Sequence, residues 1–151
     1  MSCYDLIISS FKPTIEWLTS HGIKNSFVRL GFEPYVMKDV STPKKYDISF
    51  IGAFHKTHQS RQEFIERLCM RFDVHIWSPI LNADRSSPLW KNYHGVAYGK
   101  KMYEILASSR ITLNHHGNQF QYANNLRLYE ATGIGTFLIT DHKENLPELF
   151  E

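Results

Sequence analysis

Short apolar runs and stretches of helical spacing follow each other along the chain, the pattern of alternating strands and helices. Residues 4–9 (YDLIIS) and 26–30 (SFVRL) read as two strands around a helix that opens at Lys12-Pro13 and stops near His21-Gly22. This β-α-β piece has too few strands to cover its own faces, so its exposed edge or face is a candidate for self-association. Residues 36–45, with Thr42-Pro43-Lys44-Lys45, read as a connector. From Tyr46 the pattern strengthens. YDISFIGAF is a buried strand, and Ser60-Arg61-Gln62-Glu63 has the form of a capping box, with Ser60 as N-cap. Phe64, Ile65, Leu68, Cys69 and Phe72 then recur at helical spacing.

Further elements follow in the same alternation: a strand at 73–77, a long loop at 79–94, and a helix at 98–109 with Met102, Ile105 and Leu106 facing inward. A strand at 111–113 ends at Asn114-His115-His116-Gly117. The segment NNLRLYEATGIG predicts a helix capped by Asn124-Asn125 and closed by Gly133 as a left-handed stop, and TFLIT reads as a buried strand. Residues 145–150 predict one more helical turn. The fold class is therefore α/β, a Rossmann-like, doubly wound parallel sheet.

Composition narrows the classes. The chain has 151 residues, 42% of them hydrophobic and 21% charged, with a net charge of +2. Those values suit a globular core and give no basic arm for nucleic acid. Cys3 and Cys69 have no partner spacing, which points to free thiols in a reducing compartment. No apolar run is long enough for a transmembrane segment. The expectation is a cytoplasmic chain, with peripheral association at the inner membrane left open for the full-length protein.

In a doubly wound sheet, ligands bind outside the carboxyl ends of the strands. The polar residues expected there are His55, Lys56 and His58, then Ser78, then Asn114, His115 and His116. Arg61 and Arg127 each fall in the first turn of a predicted helix, where a cation is unfavourable unless an anion is present, which suggests a phosphate or diphosphate. Each arginine can equally pair with a nearby carboxylate. Glu130 lies three residues after Arg127, so the two form an internal ion pair or hold a ligand diol such as a ribose. The His pairs lack metal-binding spacing, so no metal is expected. Tyr98, Trp77 and Trp90 read as packing aromatics, one of which could stack on a base.

From Tyr46 onward the chain resembles the C-terminal, donor-binding half of GT-B glycosyltransferases, of the group-1, spore-maturation-protein-like type. The resemblance is carried by YDISFIGAF, HQSRQEFIERL, GVAYGKKMYEILASSRITLNHHG and above all NNLRLYEATGIGTFLITD. It implies a transferase that uses a nucleotide-diphosphate sugar, without a metal or other cofactor, and an acceptor that is a glycan, a lipid-linked molecule or a protein. By the same resemblance Glu130 binds ribose hydroxyls, Arg61, Arg127 and the N-terminus of the Asn125 helix face the diphosphate, and Asn114 and His116 line the donor pocket, with Asn124 and His55 as further substrate-binding candidates at this edge. Related retaining enzymes carry E-x7-E, and Tyr122 stands here at the first of those glutamates.

The resemblance also implies a division. Residues 1–40 resemble the end of an N-terminal, acceptor-side domain and the start of a linker, and 41–151 a nucleotide-sugar-binding domain truncated at its C-terminus. The expectation is a fragment that binds donor without turnover, the rest of the acceptor domain acting in cis. Two other functions fit the pattern: a non-catalytic nucleotide- or sugar-binding module, favoured by Tyr122, and a flavodoxin-like signalling domain, disfavoured by the lack of clustered acidic residues.

Overall fold

The structure, a computed structural model, describes residues 4–40, 42–54, 59–79, 81, 83–116 and 121–150. The chain divides into two compact units, Met1–Gly31 and Phe32–Glu151. In the first, β1 (Ile7–Ser9) and β2 (Asn25–Phe27) pair in parallel around α1 (Lys12–Ser20). Pro13 suits the first turn of α1, where its missing N–H would have no helical partner. Gly22, at φ 67°, turns the chain out of the helix. Leu18 is the one buried apolar side chain among the described residues of this unit, while Ile8, Trp17 and Val28 are exposed. Two strands and one helix cannot enclose a core, as the pattern implied.

The second unit is a four-stranded sheet of order β4-β3-β5-β6, all parallel. Its strands are β3 (Tyr46–Ile51), β4 (Val74–Trp77), β5 (Ser109–Asn114) and β6 (Phe137–Thr140). The helices are α2 (Gln59–Cys69), α3 (Gly99–Ser108), α4 (Arg127–Gly133) and α5 (Leu146–Leu149). Two cores separate the faces. Ile65, Leu68 and Cys69 of α2 pack with Phe50, Val74, Ile76 and Leu113 on one. Ile105 and Leu106 of α3 and Ala131 of α4 pack with Ile51 and Trp77 on the other. Each fully buried Ile or Leu contributes about 1.5–3 kcal/mol relative to exposure. The α/β, Rossmann-like fold expected from the alternation is the fold observed.

β3 and β5 are neighbours, yet the helix after β3 lies on one face and the helix after β5 on the other. That is a topological switch point, and a crevice opens outside the carboxyl ends of two such strands.

Several local expectations are corrected. Helix α4 begins at Arg127 with Leu126 at the N-cap position, so Asn124 and Asn125 do not cap it. The Asn125 amide is drawn instead to Asn114, with Nδ2 donating to Oδ1 at 2.9 Å. The left-handed residue is Gly135, at φ 78°, not Gly133. Gly133 is glycine for a different reason, since a Cβ there would lie 2.3 Å from the Phe32 ring. Ser60 lies inside α2 and does not cap it. Phe64 and Phe72, placed on the inner face by periodicity, are exposed, and only Ile65 of that set is fully buried.

The connector at 36–45 includes part of a 3-10 helix, Pro34–Asp39, and the long loop at 79–94 includes another, Pro88–Trp90. Much of that loop is packed. Leu89 is fully buried, and main-chain bonds join Ile76 to Asn92 and His94, extending the sheet beside β4. No helix among the described residues is long and apolar enough to cross a membrane.

Candidate functional site

The carboxyl ends of β3, β5 and β6 carry a continuous polar network. Asn114 and Thr140 are register partners at the ends of β5 and β6, and both face the side that α4 covers. Asn114 Nδ2 donates to Thr140 Oγ1 at 3.0 Å, and its Oδ1 accepts from Asn125. Two residues on, the His116 main-chain N–H donates to Asp141 Oδ1 at 2.7 Å, and the ring Nδ1 lies 2.8 Å from the same oxygen. Lys143 Nζ stands 3.6 Å from Asp141 Oδ2. Asn114, His116 and Lys143 are all buried. The segment before α4 is held by Asn145, which accepts from the Ala123 N–H and donates to the Ala123 carbonyl, at 2.6 and 2.9 Å.

Electrostatics follow from this packing. Burial pushes the His116 pKa below its ordinary value despite the opposing bond and charge of Asp141. Burial alone would raise the Asp141 carboxyl, but the His116 N–H and ring bonds outweigh it and bring its pKa down. At neutral pH the pair is therefore a neutral imidazole against an ionised carboxylate.

The two arginines differ. Arg61 spans the switch point: Nε donates to the His115 carbonyl at 2.9 Å, Nη2 to the same oxygen, and Nη1 to the Ala53 carbonyl at 2.8 Å. It thus ties the exit of β3 to the exit of β5, with three of its five N–H donors committed. Burial lowers its pKa, and the nearby Asp141 charge opposes that. Arg127 Nη1 approaches Glu130 Oε2 at 2.9 Å, and both side chains are nearly buried at 14% and 13% exposure. The approach lacks hydrogen-bond alignment, so Arg127 Nε and Nη1 have no hydrogen-bond partner. Nη2 reaches the Ile51 carbonyl at 3.4 Å. Burial raises the pKa of the Tyr103 hydroxyl of α3, and the nearby Glu130 charge adds to it. Burial lowers the Arg127 pKa against the opposing charge of Glu130.

The question posed by the sequence, whether Arg127 and Glu130 hold each other or a ligand, thus has a physical answer. They form a pair, and the pair is not saturated. Asn125 Oδ1 and His115 Nδ1 are likewise buried without a hydrogen-bond partner. Each such group costs about 1–3 kcal/mol relative to a satisfied one, which a ligand's polar atoms would offset.

Among the expected site residues, Asn114, His116, Asn125, Arg127, Glu130 and Arg61 gather at this edge. Asn124 is exposed and outside the network. His55, with Lys56 and His58, lies outside the described residues. Ser78 is buried under the returning loop, where its carbonyl accepts from the Tyr93 hydroxyl. Trp77 is core, Trp90 packs under Arg85, and Tyr98 is exposed. No group of three His, Cys, Asp or Glu among the described residues is arranged to hold a metal.

Asp141, Thr140, Lys143, Tyr103 and Asn145 were not selected from the sequence. Thr140 closes β6 and Asp141 follows it, so the rule that picked Asn114 would have found them. Tyr103 and Asn145 meet the site through tertiary packing alone.

A parallel sheet with unsatisfied polar groups at its carboxyl ends beside a switch point is the arrangement in which α/β domains of Rossmann type bind ligands. A family model described as glycosyl transferase-like matches residues 58–151, more than half of the chain, and the chain belongs to that family. No curated protein matches it.

Proposed function

We propose that residues 41–151, within the unit Phe32–Glu151, are the donor-binding half of a GT-B glycosyltransferase, of the spore-maturation-protein-like type, and take a nucleoside-diphosphate sugar. In this reading residues 41–151 form the donor domain and 1–40 the end of an acceptor-side domain. The observation that supports it most is the buried Arg127, whose Nε and Nη1 hydrogens lack hydrogen-bond partners beside the β3/β5 crevice. Such donors suit the oxygens of a diphosphate. Arg61 has two N–H groups left for the same anion. Glu130 keeps acceptor capacity beyond Arg127 and suits a ribose diol.

In transfer, the acceptor oxygen forms a bond to the anomeric carbon and gives up its proton to solvent, and the bond from that carbon to the diphosphate oxygen breaks. The leaving diphosphate takes the electron pair, and fixed cations at this edge stabilise the charge it gains. The test is thermal unfolding with UDP, GDP, ADP and dTDP. One of them raises the midpoint in the wild type, and Arg127→Met abolishes the rise. A wild type indifferent to all four contradicts the reading.

A further inference from the structure

The carboxyl edge offers both donors and acceptors. The donors are Arg127 and Arg61. The acceptors lie on either side of the Asn114 amide, and they are His116 Nε2 and Asn125 Oδ1.

The state of His116 follows from its contacts. An ionised carboxylate has no hydrogen to give, so the 2.8 Å contact to Asp141 Oδ1 places the ring hydrogen on Nδ1. In the neutral ring Nε2 is then a lone-pair acceptor. The same Asp141 oxygen takes the His116 main-chain N–H, so ring and backbone are held together as a unit. The charges that act on this ring are Asp141, which favours the cation, and Lys143 and His115, which oppose it.

Nε2 is poorly used within the protein. Asn114 Nδ2 lies 3.5 Å away, at the limit of a hydrogen bond, and gives its better bond to Thr140 at 3.0 Å. On the other side of Asn114, the Asn125 Oδ1 is buried without a hydrogen-bond partner. Two under-used acceptors flanking one amide repel an anion and attract hydroxyl groups. Hydroxyls of a sugar ring, which can donate as well as accept, suit such acceptors.

We propose that Asp141 is a positioning residue that locks His116 in the Nδ1–H tautomer, so that Nε2, together with Asn125 Oδ1, accepts hydrogens from hydroxyls of the donor's sugar. The proposal rests on the donor-binding reading above and adds which part of the donor lies where. Lys143 supports it by countering the second Asp141 oxygen.

Two measurements test it. Nitrogen-15 NMR of labelled histidine in the free protein at pH 7 reads the tautomer directly. The account expects a protonated Nδ1 and a bare Nε2 for His116, and loss of that preference in Asp141→Asn. A protonated Nε2 in the wild type overturns it.

The second is calorimetric binding of UDP-glucose, GDP-mannose, ADP-glucose and dTDP-glucose, each against its free diphosphate. Asp141→Asn lowers affinity for the sugar nucleotide roughly tenfold and for the matching diphosphate less than about twofold. Asn125→Ala, which leaves the His116–Asp141 pair in place, shows the same split. Equal losses for both ligands, or none for either, overturn the sugar contact while leaving the donor reading intact. If neither ligand class binds the wild type, the donor reading fails and the sugar contact with it.

Discussion

Two carboxylate–histidine clusters sit on the same sheet and have opposite characters. At the amino end of β4, Asp73 is exposed and bonded by Lys91 and Asn92 at 3.0 and 2.8 Å. His75 lies 3.5 Å from it and bonds His94 at 2.8 Å, and the His94 ring stacks on Trp77. Those partners fasten the returning loop to the edge of the sheet. At the carboxyl end, Asp141 and His116 are enclosed, and their neighbours Arg127, Asn125 and His115 keep polar atoms without hydrogen-bond partners. Residue type does not separate the two clusters, because each contains Asp, His, Lys and Asn. Saturation does. The β4 cluster is consistent with a structural fastening, and the carboxyl-edge cluster with a place for a ligand.

The largest contrast is expected in stability. Glu130→Ala leaves the Arg127 guanidinium buried opposite no carboxylate, and a loss of about 3–5 kcal/mol follows by urea denaturation. Asp73→Asn removes the same charge from the β4 cluster, where solvent screens it, and leaves the midpoint nearly unchanged. Equal losses would erase the distinction.

A smaller contrast concerns pH. Burial lowers the pKa of both His116 and His94, with the His75 charge adding to the effect at His94. The unfolded chain, with histidine near about 6.5, therefore binds protons first. The stability contributed by the neutral rings is present above that value and is lost as pH falls through the window down to the depressed folded values. Thermal melts between pH 7 and 5 should flatten in His116→Gln and in His94→Gln, more in the former because its ring is more deeply buried. Full additivity in the double variant marks the clusters as independent. At lower pH Asp141, whose folded pKa is also lowered, contributes in the same direction.

The sheet was legible because the runs at 46–51 and 111–113 are rich in apolar and β-branched residues, short and bounded by polar residues. Asn114 and His116 were legible for a related reason, since strand ends are visible in a sequence and the carboxyl-edge rule does the rest. What could not be read depended on contacts across the chain. Asn125 looks like a helix cap, but the helix starts later, with Leu126 at the cap position, and the Asn125 Nδ2 donates to Asn114 across the chain. Gly133 looks like a left-handed stop, but its missing Cβ makes room for Phe32, a hundred residues earlier in the chain. Phe64 and Phe72 fit a buried helical stripe by spacing, yet no element among the described residues covers that side of α2. Periodicity reports what a face is made of, and only packing decides whether it is covered.

The central claim is that a nucleoside diphosphate occupies the crevice at the carboxyl ends of β3 and β5. A nitrogen-15 amide titration with UDP, GDP, ADP and dTDP tests it residue by residue. The account predicts that one of the four shifts the amides of Ala53, His116, Asn125 and Arg127 while those of Asp73, His75 and His94 stay in place. No shift with any of the four, or shifts confined to the β4 cluster, would contradict it.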